Sequence, residues 1–262
     1  MRVRLTLQAK QNRSELPLNS NHAIAALIYH ILGQASEKFA AQLHDEGFTD
    51  EGRHFKLFTF SRLLFRRSHV SGHRLVLDDP TLELLLSSPV NDFVEHFVTG
   101  LFQSEQFDIA GTLFILTAAE TLAPPDFTMT PAGGTVMNFR ALSPITESAR
   151  DESNRVRFLA PDEDWSDVIH RNLRRKYRAL HGHDLAETSL RWQWDQDYLQ
   201  RVTAQGRRAS ALVDINGIKV RGWLAPFTVE GSRELIELGY ETGFGSRNSM
   251  GFGMAALSHD AT

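Results

Sequence analysis

Near its C-terminus the chain runs Gly243-Phe244-Gly245-Ser246-Arg247-Asn248-Ser249-Met250-Gly251-Phe252-Gly253, two Gly-Phe-Gly units bracketing five residues. This stretch constrains the backbone more than any other, because glycine admits positive φ and lets a second backbone approach closely. A run of amides without side chains in the way can cradle a phosphate. Arg247 would add charge to such a cradle, Asn248 and Ser249 would add hydrogen bonds, and Phe244 and Phe252 would anchor the two limbs in a core. The stretch is not a Walker loop, because no Gly-Lys-Ser/Thr follows. It is not a dinucleotide fingerprint either, because the segment after Gly253 is short and strand-like instead of a helix. On its own it reads equally well as a structural turn.

The N-terminal half begins with an alternating strand, Val3, Leu5 and Leu7 facing one way. A helix follows over about His22 to Leu32, with Ile24, Leu27, Ile28 and Ile31 as its buried stripe, and Gly33 ends it. His22 and Tyr29, seven residues apart, share one flank of that helix. Ser36 caps a short second helix carrying Phe39, Ala40 and Leu43 inward, with His44 in its last turn and Gly47 as its stop. Phe55–Ser61, Gly72–Leu77 and Thr81–Leu86 read as strands. Pro89 opens a helix with Phe93, Val94, Phe97, Val98 and Leu101 inward, and Phe107–Leu116 reads as a closing strand. The order strand, helix, strands, helix, strand is the βαββαβ plan of a ferredoxin-like (RRM-like) domain.

Leu122 to Gly134 is rich in proline and glycine and reads as a linker. After it come a strand over Thr135–Leu142, an exposed polar stretch over Thr146–Asn154 and a helix over about Asp164–Leu180. Trp165, Ile169, Leu173, Tyr177 and Leu180 lie on one face of that helix. Arg171, Arg174, Arg175 and Arg178 lie on the opposite face at i, i+3, i+4, i+7. Four like charges in one stripe repel one another unless a polyanion or solvent screens them. Asn216-Gly217 is a hairpin signal joining Ala211–Ile215 to Ile218–Phe227. A helix over Glu230–Tyr240, the glycine stretch and a last strand over Met250–Leu257 finish the chain. The expected architecture is therefore α+β, two tandem ferredoxin-like domains over residues 1–122 and 135–262.

Composition narrows the chemistry. The chain has 262 residues, no cysteine and a formal net charge of −4. Disulfides, thiolate catalysis and cysteine-based zinc sites are excluded, and a reducing cytoplasm fits. Residues 1–7 alternate like a strand, unlike a signal peptide, and no apolar run approaches a membrane span, so no membrane partner is expected. A net negative chain that grips nucleic acid must do so through local basic patches. The eleven histidines bring acid–base chemistry or metal ligation into view. For a metal the support is thin. Ser71-Gly72 interrupts His69 and His73, and Gly182 separates His181 from His183.

Residues 239–253, Gly-Tyr-Glu-Thr-Gly-Phe-Gly-Ser-Arg-Asn-Ser-Met-Gly-Phe-Gly, resemble the glycine-rich signature of the RAMP superfamily. They look most like the CRISPR-associated endoribonucleases (Cas family six) that cut repeats in precursor CRISPR RNA. Leu27-Ile28-Tyr29, Ala40 to His44, Phe55-Lys56-Leu57-Phe58-Thr59 and Leu142-Ser143-Pro144-Ile145 are similar to that family's segments in order and spacing. The resemblance implies a role in antiviral defence and cleavage that needs neither metal nor cofactor. The ribose 2′-hydroxyl attacks the adjacent phosphate, leaving 2′,3′-cyclic phosphate and 5′-hydroxyl ends. It implies His44 as general acid or base, Tyr29 as an orienting or donating group and Lys56 as charge stabiliser. Gly243, Gly245, Arg247, Asn248, Ser249, Gly251, Gly253 and the four helix arginines would hold RNA.

Alternatives stay open at this point. His22 rivals His44, with His30 and His54 behind it. The chain would also suit a non-catalytic RAMP-type RNA-binding subunit of a CRISPR ribonucleoprotein. A ferredoxin-like small-molecule enzyme or regulator binding a nucleotide on the glycine stretch is a third reading. Other CRISPR-associated subunits and a homodimer are open as partners.

Overall fold

The computed structural model describes residues 1–11, 13–127, 134–215 and 217–258. It is an α+β protein of two domains, each an antiparallel sheet with helices packed on one face. In the first sheet Arg2–Ala9 lies at the centre, between Thr81–Ser87 on one side and Thr112–Leu122 on the other. Thr59–Phe60 and Leu64–Phe65 pair with the outer edge of Thr81–Ser87, and Phe107–Ile109 closes the opposite edge. Val3, Leu5 and Leu7 point into the core as their alternation predicts. They meet helices α1 (Asn21–Ala35) and α3 (Asn91–Gln103), whose buried residues include Ile24, Leu27, Ile28 and Ile31 on α1 and Phe93, Phe97 and Leu101 on α3.

Between them lies α2 (Glu37–Asp45). Gly33 does not end α1. The helix runs two residues past it, and Ser36 supplies the break by turning extended and capping α2, its side-chain oxygen accepting from Phe39 N–H at 3.2 Å. Three strand expectations change. Phe55–Ser61 is not one strand, because Leu57 takes φ +51° and divides it. Arg53–Phe55 pairs in a hairpin with Phe48–Asp50, whereas Thr59–Phe60 joins the main sheet. Arg74–Leu77 leaves the main sheet for a small one with Glu15–Pro17 and Ser68–Ser71. The mixed pattern of Phe107–Leu116 is a tight hairpin, turning at Ala110-Gly111 and running on to Leu122.

The second sheet has the order Leu190–Trp194, Pro226–Gly231, Thr135–Ala141, Ala255–Leu257. Its helices are α4 (Ser166–His181) and, after a short α5 (Gln196–Ala204), α6 (Arg233–Thr242). The hairpin expected over Ala211–Ile215 and Ile218–Phe227 is displaced from the sheet. Ser210–Ile215 and Ile218–Trp223 form a separate two-stranded ribbon, and Pro226 starts a new strand that belongs to the sheet. The sheet position beside that strand goes to Leu190–Trp194, where Trp192 and Trp194 bury against Phe227. Of the expected hairpin turn, Asn216 lies outside the described residues, as do 128–133 of the expected linker. Thr146 and Glu147, expected at the surface, are 1% and 6% exposed. Helix α6 begins at Arg233 and the last strand at Ala255, both later than their sequence patterns suggest.

The domains meet through buried polar contacts. Arg2, 3% exposed, donates to Ala255 O and Tyr240 O at 2.7 Å each and stacks on the Tyr240 ring. Within the first domain α1 and α3 cross closely, because a Cβ at Gly100 would stand 1.8 Å from Ile31 O. Gly100→Ala should therefore lower stability by about 1–3 kcal/mol, overpacking outweighing the gain in helix propensity. Urea denaturation measures this; a variant as stable as wild type would show that the crossing yields.

Candidate functional site

Tyr29, His44 and Lys56 come from three different elements and arrive at one place. Tyr29 projects from α1 with its ring against buried Phe58, centroids 5.8 Å apart. On its other side it meets His44 edge-on, at 5.2 Å and 79°. The last turn of α2 carries His44 out to solvent, its side chain 68% exposed and Nδ1 3.0 Å from Asp45 Oδ1. With Nδ1–H donating to that carboxylate, Nε2 is left free. Lys56 Nζ donates to the His44 carbonyl at 2.6 Å, which leaves two of its N–H groups for other acceptors.

The environments sort these groups chemically. Burial pushes the Tyr29 phenol up to about 12, so at neutral pH it stays protonated, able to donate a hydrogen bond and unable to act as a base. Burial pulls the Lys56 ammonium below its usual range, and the Asp45 charge opposes that shift. His54, one of the rival histidines, is close by on the Arg53–Phe55 strand, its Nδ1 2.7 Å from Glu46 O. His22 has no hydrogen bond or ring contact with the three among the described residues. His30 is exposed, 3.4 Å from Gln34.

The glycine stretch is placed differently from an open cradle. Phe244 and Phe252 are fully buried, as anchors should be. The amides of Phe244, Ser246, Met250, Gly251 and Gly253 all donate to protein carbonyls. A Cβ at Gly243 would reach Asn248 and Thr59, one at Gly251 would reach Asn21 and Phe60, and one at Gly253 would reach Phe244 O at 2.2 Å. The glycines are demanded by this packing between the domains, where Thr59 donates to Phe252 O and Asn21 to Met250 O. Asn248 is itself buried in the loop, and only Arg247, Ser246 and Ser249 offer groups outward.

Sequence reading missed the residue that holds this loop. Lys176 is 2% exposed and donates to Gly243 O at 2.6 Å, Asn248 Oδ1 at 2.7 Å and Gly245 O at 3.1 Å. Burial drives its ammonium down to about 7, with Glu147 opposing. Glu147 accepts from Ser246 Oγ at 2.7 Å, and burial raises its carboxyl. The signal was present, since Lys176 falls between Leu173 and Leu180 on the apolar stripe of α4.

The arginine stripe of α4 is largely neutralised. Arg178 grips Asp50 through two contacts of 2.8 Å and also reaches Asp184. Arg174 pairs with Asp184, and Arg175 lies 3.8 Å from Glu51. Only Arg171 of the four is exposed without a salt bridge among the described residues. Beside the stripe a cleft of about 390 Å³ opens between the Arg53–Phe58 segment, α4 and the glycine loop. Arg53, His54, Lys56, Asn172, Ser246, Arg247 and Ser249 line it, and no carboxylate of the described residues does. Neither Arg53 nor Arg247 has a salt bridge among the described residues. His69 pairs with Asp78, and no group of three or more histidine, aspartate or glutamate side chains gathers among the described residues as a metal would require.

Because Tyr29 ionises later in the folded state than in the unfolded chain, its stabilising contribution is complete below about pH 10 and is lost as pH rises toward 12. Tyr29→Phe should remove the steepest part of that alkaline loss. Urea midpoints at pH 9 to 12, with an ultraviolet phenolate titration, test it; equal alkaline slopes in wild type and variant would contradict it.

Comparison with known proteins gives a consistent result. A family profile described as CRISPR associated protein Cas6, C-terminal, matches residues 128–257, and one described as CRISPR-associated protein Cas6, N-terminal, matches residues 15–120. CRISPR-associated endoribonuclease Cas6 1 of Methanocaldococcus jannaschii is 28% identical, covering 99% of this chain and 94% of the relative. A solved CRISPR associated protein Cas6 is 27% identical and superposes with a TM-score of 0.76 over 99% of each chain. The fold is also that of an RAMP protein binding different RNA substrates, with a TM-score of 0.78 at 21% identity over 98% of this chain and 99% of that one.

Proposed function

The chain belongs to the Cas6 family of CRISPR-associated proteins, and on that premise we propose that it is a metal-independent endoribonuclease cutting CRISPR repeat RNA into mature guides. The observation that carries this reading is the convergence of Tyr29, His44 and Lys56. Each domain is then a ferredoxin-like unit. In both, the first strand of the βαββαβ order lies between the third and the fourth, and the boundary falls between 122 and 135.

The chemistry asked of the site is transfer of the 2′-hydroxyl proton, attack of that oxygen on the adjacent phosphorus, and protonation of the departing 5′-oxygen. The new bond is 2′-oxygen to phosphorus, and the bond lost is phosphorus to 5′-oxygen. His44 Nε2, free and exposed, serves as base or acid. The Tyr29 phenol, neutral at working pH, donates to the reacting phosphate or orients His44. The two remaining N–H groups of Lys56 meet the charge that builds on the phosphorane oxygens. Phosphates flanking the cut run into the adjacent cleft, whose described lining holds Arg53, Lys56 and Arg247 and no carboxylate. In this arrangement the glycines of the loop shape the cleft wall and Arg247 contacts RNA. Of the helix stripe, Arg171 is the residue freest to join.

Repeat RNA incubated with wild type in excess EDTA should be cut once, leaving a 2′,3′-cyclic phosphate. His44→Ala should slow that cut by about 10² to 10⁴. Cutting at full rate in the variant would move the role to His54 or His22. Tight binding with no cut by wild type would favour the non-catalytic RNA-binding subunit.

A further inference from the structure

The sequence assigns Arg178 to RNA, but the structure assigns it other work. We propose that Arg178 and Asp50 are positioning residues that set the stance of Lys56 from the second domain, so that they govern the rate of the chemical step and not RNA affinity. The proposal rests on the endoribonuclease reading above.

The hairpin Phe48–Asp50/Arg53–Phe55 is inserted between His44 and Lys56, two groups that must act together. It is held at both ends. At its tip the Asp50 carboxylate takes both Arg178 Nε and Nη2 at 2.8 Å, a bidentate pair whose geometry fixes orientation as well as distance. The Asp50 side chain is only 9% exposed, and Glu51 adds weaker contacts at 3.6 Å to Arg178 and 3.8 Å to Arg175. Arg178 is held in turn by Asp184, which Arg174 also grips. At its base His54 donates to Glu46 O and Lys56 to His44 O, the carbonyls that end α2.

Gly47 makes the base compact. At φ +63°, a Cβ there would stand 2.5 Å from Phe55 O and 3.0 Å from the Lys56 side chain, so the lysine stem lies directly over the helix end. A tilt of the hairpin therefore moves Lys56 across His44. An arginine already committed to two carboxylates has little left to offer a phosphate, and the tilt is what its loss would release.

The test is single-turnover cleavage of repeat RNA at saturating protein, with affinity measured over a salt series, for wild type, Asp50→Asn, Arg178→Ala and the swap Asp50→Arg with Arg178→Asp. Each single variant should lose roughly 10- to 100-fold in rate, the scale of an ångström-sized misplacement. Affinity and salt slope should stay at wild-type values, and the swap should recover rate. In a Lys56→Ala background, Asp50→Asn should cost nothing more.

Arg178→Ala that keeps its rate but weakens binding, with a salt slope reduced by about one, would make Arg178 a phosphate contact and overturn the proposal. So would an undiminished penalty in the Lys56→Ala background. Should Arg178→Ala not fold, Asp50→Asn reads the same contact with no change of size. A nitrogen-detected ammonium resonance of Lys56 separates the two layers without activity. If wild type fails to cut, the endoribonuclease reading falls. Loss of the Lys56 resonance on Asp50→Asn would still support the strut, and an unmoved resonance would refute it.

Discussion

A lysine ammonium removed from water must find acceptors, because an unpaired buried charge costs several kcal/mol or more. Lys176 finds three, and all of them belong to the glycine loop: Gly243 O, Gly245 O and Asn248 Oδ1. The carbonyls converge on one nitrogen only because the chain bends back twice over a few residues. Those bends, and the contact with Thr59, Asn21 and Phe60 across the domain junction, leave no room for side chains at the glycines. The loop, α4 and the edge of the first sheet thus form one packed unit. Lys176 ties the second domain's helix to the loop, and the loop ties both to the first domain.

The site's location follows from that unit. The cleft has α4 and the loop as one wall and the Arg53–Phe58 segment as the other. One wall belongs to each domain, so its width and charge depend on how they dock. Docking also decides which arginines remain available. Those of α4 that face the hairpin tip are spent on Asp50, Glu51 and Asp184, while Arg53 and Arg247, facing the cleft, keep their charge. In a chain of net charge −4, a small region without carboxylates attracts a polyanion more effectively than a longer stripe that is already paired.

Local pattern carried much of this fold. The alternation of Val3, Leu5 and Leu7, the stripe of α1 and the face of α4 built on Trp165, Ile169 and Leu173 are short-range regularities, and each lies where its spacing put it. Non-local choices were hidden. The ribbon at Ser210–Trp223 has good strand character, yet nothing within it says which sheet it joins, and Leu190–Trp194 took the place expected for it. The meeting of Tyr29, His44 and Lys56 was inferred from a resemblance; spacing alone left four histidines in competition. Arg178 and Asp50 are 128 residues apart, so helical spacing showed the stripe but not its neutralisation. The glycines announced a tight loop correctly, and only the packed structure told whether the tightness served a ligand or a neighbouring backbone.

The central claim is that the ribose 2′-oxygen is the nucleophile and that the protein supplies only proton transfer and charge. A repeat RNA carrying a single 2′-deoxy sugar on the 5′ side of the cut tests this most directly. The account predicts binding as tight as that of the unmodified repeat and no cleavage at that bond, even after long incubation. Cleavage of the deoxy substrate at the same bond would mean that water or another group attacks the phosphate, and would contradict the mechanism built on Tyr29, His44 and Lys56.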